Sequence, residues 1–265
     1  MPKLLPRQLS KLMKKKKRIS KSRRNFILAV IPFVLVLALL SRSVPDGVVR
    51  LDIGNSGIGE KAIALTFDDG PGDYTEALLD GLEENGAKVT FFVIGKKAEK
   101  YPETVERAYD EGHLIGSHSY DHINLLASSI SDIEESINKN AKLIQEITGE
   151  KPLFFRAPHG YTTAYQLKRL NTFFVKWSVD SYDWKGKDAE YIYNRIMKKA
   201  SDGQIILLHD TKEATVEAVL RAIPELQAQG YEFVRVDELL SRNGDKIRMG
   251  VPYRKCKYEN DAVAF

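Results

Sequence analysis

Apolar and polar positions follow two different periods along this chain. Short apolar runs at 63–67, 89–94, 114–116, 153–156, 173–178, 204–208 and 232–236 have strand character. Between them, apolar residues return every three or four positions, as they do on one face of a helix. Seven strands alternating with helices predict a parallel α/β sheet, open or barrel-like, because parallel neighbours need crossover connections. The clearest helix is 132–148, where Ile133, Ile137, Ala141 and Ile144 form one stripe. Ser131 with Glu134 fits a capping box at its start, and Gly149 fits the left-handed position after its last turn. A second helix, near 102–110, opens on Pro102 and carries Val105 and Tyr109 four apart. Pro224 interrupts the pattern over 215–229 and predicts a kink or two short helices.

One apolar run is of another kind. Residues 26–40 are fifteen positions without a charge, and residues 1–25 before them hold 11 Lys or Arg and no acid. A basic tract can bind nucleic acid, but one that runs into an apolar segment reads as the cytoplasmic flank of a membrane-targeting segment. At 1.5 Å per residue the run spans about 22 Å, short of the roughly 30 Å hydrocarbon core, so neighbours such as Ser41 would have to complete a span. The expectation is an uncleaved transmembrane anchor over 26–43, with the N-terminus in the cytoplasm and the rest of the chain outside. A signal peptide cleaved before Val44, after small residues at Ser41 and Ser43, is the alternative. Composition, 43% hydrophobic and 29% charged, suits one sizeable globular domain. Without residues 1–25 the chain carries 29 basic and 36 acidic residues, which argues against nucleic acid as a partner. The single Cys256 leaves no internal disulfide. Residues 44–60, rich in Gly, read as a linker; 61–241 as the folded domain, expected to be monomeric; and 242–265 as a polar tail without periodicity.

Chemistry gathers where the predicted strands end, which is where parallel α/β folds build active sites. The first strand ends in Asp68-Asp69-Gly70-Pro71. Alternation along a strand sends two adjacent side chains to opposite sides unless the chain bends there, so the two carboxylates are suited to two different jobs. The third ends in His118-Ser119-Tyr120-Asp121-His122, whose two imidazoles face one point if the segment turns helically. Two neutral imidazoles and a carboxylate form a ligand set that suits zinc with positions left open. The later strands end in Arg156-Ala157-Pro158-His159-Gly160, Asp180-Ser181-Tyr182-Asp183-Trp184 and Leu207-Leu208-His209. Tyr74, Tyr120 and Tyr161 stand near these exits, each able to stack on a ligand ring or to pack at a rim.

In order and spacing these segments closely resemble the five motifs of the polysaccharide deacetylases of carbohydrate esterase family 4, the NodB-homology domain. T-F-D-D-G matches at 66–70, H-S-x-x-H at 118–122, R-x-P-x-G at 156–160 and D-x-x-D-W at 180–184, while L-x-L-H matches at 206–209 with Ile206 in first place. The resemblance covers roughly residues 60–240. It implies a distorted (β/α)7-type barrel with fewer strands than the eight of a TIM barrel. It implies Asp69, His118 and His122 as ligands of a divalent metal, zinc with cobalt as an alternative, and Asp68 as general base held by Arg156. It implies His209 as general acid tuned by Asp183, with Asp180 a lesser helper, and Trp184 and Leu208 lining a pocket for the acetyl methyl. His159 stands where the family usually has Tyr, Phe or Trp; its backbone amide would still serve an oxyanion. The implied activity is removal of N-acetyl groups from an extracytoplasmic glycan, foremost the N-acetylglucosamine or N-acetylmuramic acid of peptidoglycan. Chitooligosaccharide or exopolysaccharide deacetylation and O-acetyl xylan esterase activity are the enzymatic alternatives. An inactive wall-glycan-binding module is the non-enzymatic one, and it should have lost part of the Asp68, Asp69, His118, His122 and His209 set.

Overall fold

The computed structural model describes residues 48–50, 61–242 and 246–256. The basic arm 1–25, the apolar segment 26–43, most of the 44–60 linker and the end of the tail lie outside them. The fold is organised around β2 (Lys61–Asp68), which is buried from its second residue to its last. A strand covered on both faces loses the polar alternation of a half-exposed one, so its apolar run is continuous. It pairs in parallel with β3 (Thr90–Val93) on one side and β8 (Ile205–His209) on the other. The sheet path runs β11–β6–β5–β4–β3–β2–β8–β7, with β4 (Leu114–Ser117), β5 (Phe154–Phe155), β6 (Phe173–Val175), β7 (Val179–Asp180) and β11 (Pro252–Tyr253). β9 (Tyr231–Phe233) joins the N-terminal part of β2. β7 and β11 end the path, which makes the sheet an open, half-barrel version of the expected parallel barrel.

Two cores follow from the period of two. On β2, Ile63, Leu65 and Phe67 pack outward with Leu78 and Leu82 of α1 (Thr75–Glu84) and with Val219 and Ile223 of α7 (Glu213–Ala228). Ala62 and Ala64 pack inward with Phe92, Phe154, Phe173 and Ile205. The inward row then turns polar at its C-terminal end with Thr66 and Asp68, both buried. The other helices are α2 (Gly95–Lys100), α3 (Pro102–Asp110), α4 (Ile130–Thr148), α5 (Ala164–Arg169), α6 (Ala189–Lys199) and α8 (Val236–Ser241).

Several local expectations shift. α4 starts two residues early: Ser129 is its cap, accepting from Asp132 N at 3.2 Å, because the added turn packs Ile130 against Leu125 and its neighbours. Ser131 and Glu134 therefore form no capping box, whereas Gly149 does take the left-handed position, with φ 81°. Pro224 does not split α7. A proline inside a helix costs about 3 kcal/mol, and the helix buries Val216, Val219, Ala222, Ile223 and Leu226 in return. Val236 opens α8 rather than ending a strand. The tail and the linker also contribute. β1 (Val48–Arg50) pairs antiparallel with β10 (Lys246–Arg248), β11 pairs with β6, and Cys256 is buried. Such two- and three-residue strands owe their form to partners distant in sequence, so no local periodicity announces them.

Candidate active site

Asp68 completes the inward row of β2, and alternation alone would send Asp69 the other way. The backbone of Asp69 instead takes φ 70°. That left-handed conformation costs a non-glycine residue roughly 1–2 kcal/mol, and here it brings both carboxylates into one pocket. The turn is held by Lys97, which donates to the Asp69 carbonyl at 2.6 Å, and by Ile94 N, which donates to the Gly70 carbonyl at 3.0 Å. Ser119, His122, His159 and Tyr182 also have positive φ, so the strained residues cluster at the strand exits.

The third strand exit does not turn helically as expected. Residues 118–124 form a loop with φ 65° at Ser119 and 57° at His122. Asn140 of α4 holds it in place, its Nδ2 donating to the carbonyls of Val93 and Ser119 and to Ser117 Oγ. The two imidazoles still converge, at 5.1 Å between ring centroids. Nε2 of His118 and Nε2 of His122 lie 3.4 and 3.3 Å from Asp69 Oδ1. Nδ1 of His118 is 2.7 Å from the Arg156 carbonyl, which can only accept, so the proton of the neutral ring sits on Nδ1 and the Nε2 lone pair faces Asp69. Burial and the neighbouring His118 push the His122 imidazole down from its usual pKa, favouring the neutral ring. Burial pushes the Asp69 carboxyl up, but the adjoining histidines, His118 first and then His209 and His122, outweigh it and hold Asp69 well below the usual carboxylate range. Asp69 Oδ1 is buried without a hydrogen-bond partner. An orphaned anionic oxygen facing two imidazole nitrogens, all within 4.8 Å of one another, fits a divalent cation.

Arg156 is wholly buried. Its Nη1 donates to Asp68 Oδ1 at 2.8 Å and to Thr66 Oγ1 at 2.7 Å, its Nη2 to the Lys176 carbonyl at 2.8 Å, and its guanidinium lies 4.1 Å over the Phe92 ring. One carboxylate oxygen of Asp68 is thus committed. The other, Oδ2, faces His118 Nε2 at 3.9 Å and remains available to the pocket.

Across the pocket, Asp183 grips His209 twice, accepting from its backbone N at 2.7 Å and from Nδ1 at 2.8 Å, while Thr215 Oγ1 donates to it at 2.9 Å. Burial draws the His209 imidazole down, but the Asp183 hydrogen bond and charge, reinforced by Asp68 and Asp69, raise its pKa to about 9. His209 is therefore an imidazolium at neutral pH. Asp180 is not its partner; Oδ1 of Asp180 accepts from Tyr182 N at 2.8 Å and from Trp184 Nε1 at 3.3 Å.

Asp68, Asp69, His118, His122, Asp180 and His209 line a cavity of about 460 Å³ whose wall also includes His159, Tyr161, Trp177, Trp184 and Leu207. Leu208 is not among them. His209 faces inward, so by alternation Leu207 shares its side and Leu208 turns into the outer core, fully buried. Tyr74 and Tyr120 also lie outside the pocket lining; Tyr120 donates to Glu99 at 2.7 Å beneath the ammonium of Lys139. Tyr161 and Trp184 are exposed at the mouth, and the His159 ring stands 4.7 Å from that of His122. Trp177 was missed by sequence reasoning; a tryptophan near the end of the predicted 173–178 strand was the available signal.

An open parallel sheet whose strand exits assemble a candidate divalent-metal set, a buried Asp–Arg pair and an Asp-held imidazole defines a hydrolase-type site. The chain matches the polysaccharide deacetylase family over residues 56–176 and belongs to that family. It is 38% identical over 194 residues to the peptidoglycan-N-acetylglucosamine deacetylase PgdA of Listeria monocytogenes, covering 73% of this chain and 41% of that protein. A peptidoglycan-N-acetylglucosamine deacetylase of Bacillus cereus is 38% identical over 205 residues, covering 74% of this chain and 94% of that protein. Among solved structures, a family 4 acetyl xylan esterase from Clostridium thermocellum in complex with a cobalt ion aligns with TM-score 0.70 at 33% identity, covering 75% of this chain and all of that one. The chain thus spans about two-fifths of the length of PgdA and nearly all of the Bacillus cereus protein.

Proposed function

We propose that this chain hydrolyses N-acetyl groups from an extracytoplasmic polysaccharide, foremost the N-acetylglucosamine or N-acetylmuramic acid of peptidoglycan, with a divalent metal, zinc in preference to cobalt. The observation that carries the reading is the orphaned Asp69 oxygen facing two imidazoles beside an Arg-held Asp68. An ion held by Asp69, His118 and His122 would supply a Lewis acid for the acyl oxygen and acidify water.

The side chains supply the proton transfers. Asp68, immobilised by Arg156, takes the proton of the attacking water through its uncommitted Oδ2. His209 carries the proton the leaving amine needs, since an amine departs poorly unless protonated. Asp183 keeps His209 in that form and aims Nε2 at the pocket. Trp184 and Leu207 form an apolar wall against which the acetyl methyl can rest. The backbone amide of His159 is a candidate donor to the developing oxyanion, a role worth roughly 3–4 kcal/mol per donor.

Residues 26–43 would tether the domain to the outer side of the cytoplasmic membrane, which favours the cell wall as substrate; the basic flank 1–25 supports that orientation. Among the described residues, no helix is long and apolar enough to cross a membrane. The likeness to the Clostridium thermocellum esterase favours a second reading, O-deacetylation by the same groups. Acetate release separates the two: the full chain with zinc should act on N-acetylated glycan strands, and activity on O-acetyl xylan alone would overturn the first reading. Asp68→Asn should retain zinc and lose turnover, whereas His118→Ala should lose zinc; equal zinc loss in both would refute the division of roles.

A further inference from the structure

β8 ends on His209, and Asp210 follows it with the opposite orientation. His209 turns into the pocket, while Asp210 is fully buried beneath the turn that follows Asp69. Asp68 and His209 are partners in the β2–β8 register, so the two exits leave the sheet side by side. Asp210 bridges them. Its Oδ2 accepts from Thr75 Oγ1 at 2.6 Å, and that hydroxyl in turn accepts from Gly72 N at 2.8 Å. The same carboxylate lies against Gly70 so closely that a Cβ there would overlap it.

As a source of stability this group is a poor choice. Its Oδ1 is buried without a hydrogen-bond partner. Burial pushes its pKa up to about 6, against the Thr75 hydrogen bond and the charge of Lys97, and Lys97 itself donates to the Asp69 carbonyl. Buried carboxylates so sparsely paired are commonly less stabilising than apolar residues of the same volume. What the contacts do accomplish is geometric. One carboxylate joins the strand carrying His209 to the 69–75 turn, whose left-handed first residue is Asp69.

We propose that Asp210 is a positioning residue, with Thr75 as its relay, that sets the spacing between the Asp68–Asp69 turn and His209. The inference rests on the hydrolytic reading above, in that the spacing is the one between a metal ligand and a proton donor. Asp210 lies outside the pocket lining; it acts through the backbone of both exits.

The test uses the full chain and three variants, Asp210→Asn, Thr75→Val and Thr75→Ser, with zinc affinity measured by chelator competition, kcat and KM for acetate release, and thermal unfolding of the metal-free protein. Asp210→Asn and Thr75→Val should each weaken zinc and lower kcat by about tenfold or more, the usual size of effects on groups that orient ligands, with KM within about twofold. Thr75→Ser, which keeps the hydroxyl, should restore both. Asp210→Asn that binds zinc and turns over as the parent does would overturn the proposal. So would variants that lose only thermal stability, or a Thr75→Ser no better than Thr75→Val. If the parent protein itself binds no zinc and releases no acetate, the hydrolytic reading fails instead, and the zinc-free unfolding data separate that case.

Discussion

Two histidines, one buried and one half-buried, each beside a carboxylate, behave in opposite ways at opposite ends of the strands. His209 sits at the C-terminal end of β8 with Nδ1 2.8 Å from Asp183, and its pKa rises to about 9. His113 sits just before β4, and its pKa falls to about 4. It lines a second cavity, of about 520 Å³, together with Tyr109, Lys151 and Arg235. Burial draws both rings down, so the partners decide. Asp183 presents both oxygens to His209 and is itself steadied by Thr215. Glu111 gives its better-placed oxygen to Arg107 at 2.6 Å and stands 3.8 Å from His113 Nε2, while the charges of Lys88, Arg235 and Arg107 disfavour a second cation. Nδ1 of His113 accepts from Val89 N at 3.3 Å, a task only the neutral ring performs. Burial beside an acid does not make a proton donor. A short bond to a carboxylate that has no competing cation does.

The largest expected effect breaks the comparison outright. His209→Gln should lower kcat for acetate release by about 100-fold or more, the scale of general acid catalysis, with zinc binding intact. His113→Gln should leave kcat within about threefold. Similar losses in both would show that the contrast has no functional content.

Asp183→Asn should act through the same imidazole with a smaller cost at neutral pH and a clear change of profile. In the parent the acid form persists until the pH rises through about 9, so loss of the His209 proton should lower kcat on that alkaline limb. Without the carboxylate the limb should move down by at least about one pH unit, and an unmoved limb would exclude Asp183 as the tuning group.

The smallest effects are on stability, and their signs differ. The raised pKa of His209 contributes stability that is complete below its unfolded value of about 6.5 and is lost as pH rises through about 9. The depressed pKa of His113 contributes stability that is complete above about 6.5 and is lost as pH falls through about 4. Thermal unfolding of the metal-free protein across pH 4 to 10 should therefore decline at both ends. His113→Gln should flatten the acid side alone, by a few degrees at most; a flattened alkaline side in that variant would contradict the assignment.

Much of the site was legible before the fold. The strands at 63–67, 114–116 and 204–208 were announced by apolar runs, and their exits carried Asp68, Asp69, His118, His122 and His209. Leu207 was within reach as well, since alternation back from an inward His209 points to it rather than to Leu208. Other features had no local signal. The cap at Ser129 competes with an equally plausible Ser131, and only the packing of Ile130 decides between them. β1, β10 and β11 exist because of partners far along the chain.

By itself, the sequence determined which residues end the strands and therefore which chemical groups the site can contain, since apolar periodicity and strand exits are local properties. The tertiary structure decided how those groups are used. It swung Asp69 back beside Asp68 through a strained backbone, placed Asp183 rather than Asp180 against His209, and left His113 neutral among cations. Each of those outcomes depends on distances between segments tens to more than a hundred residues apart, and electrostatics and packing act through distance in space.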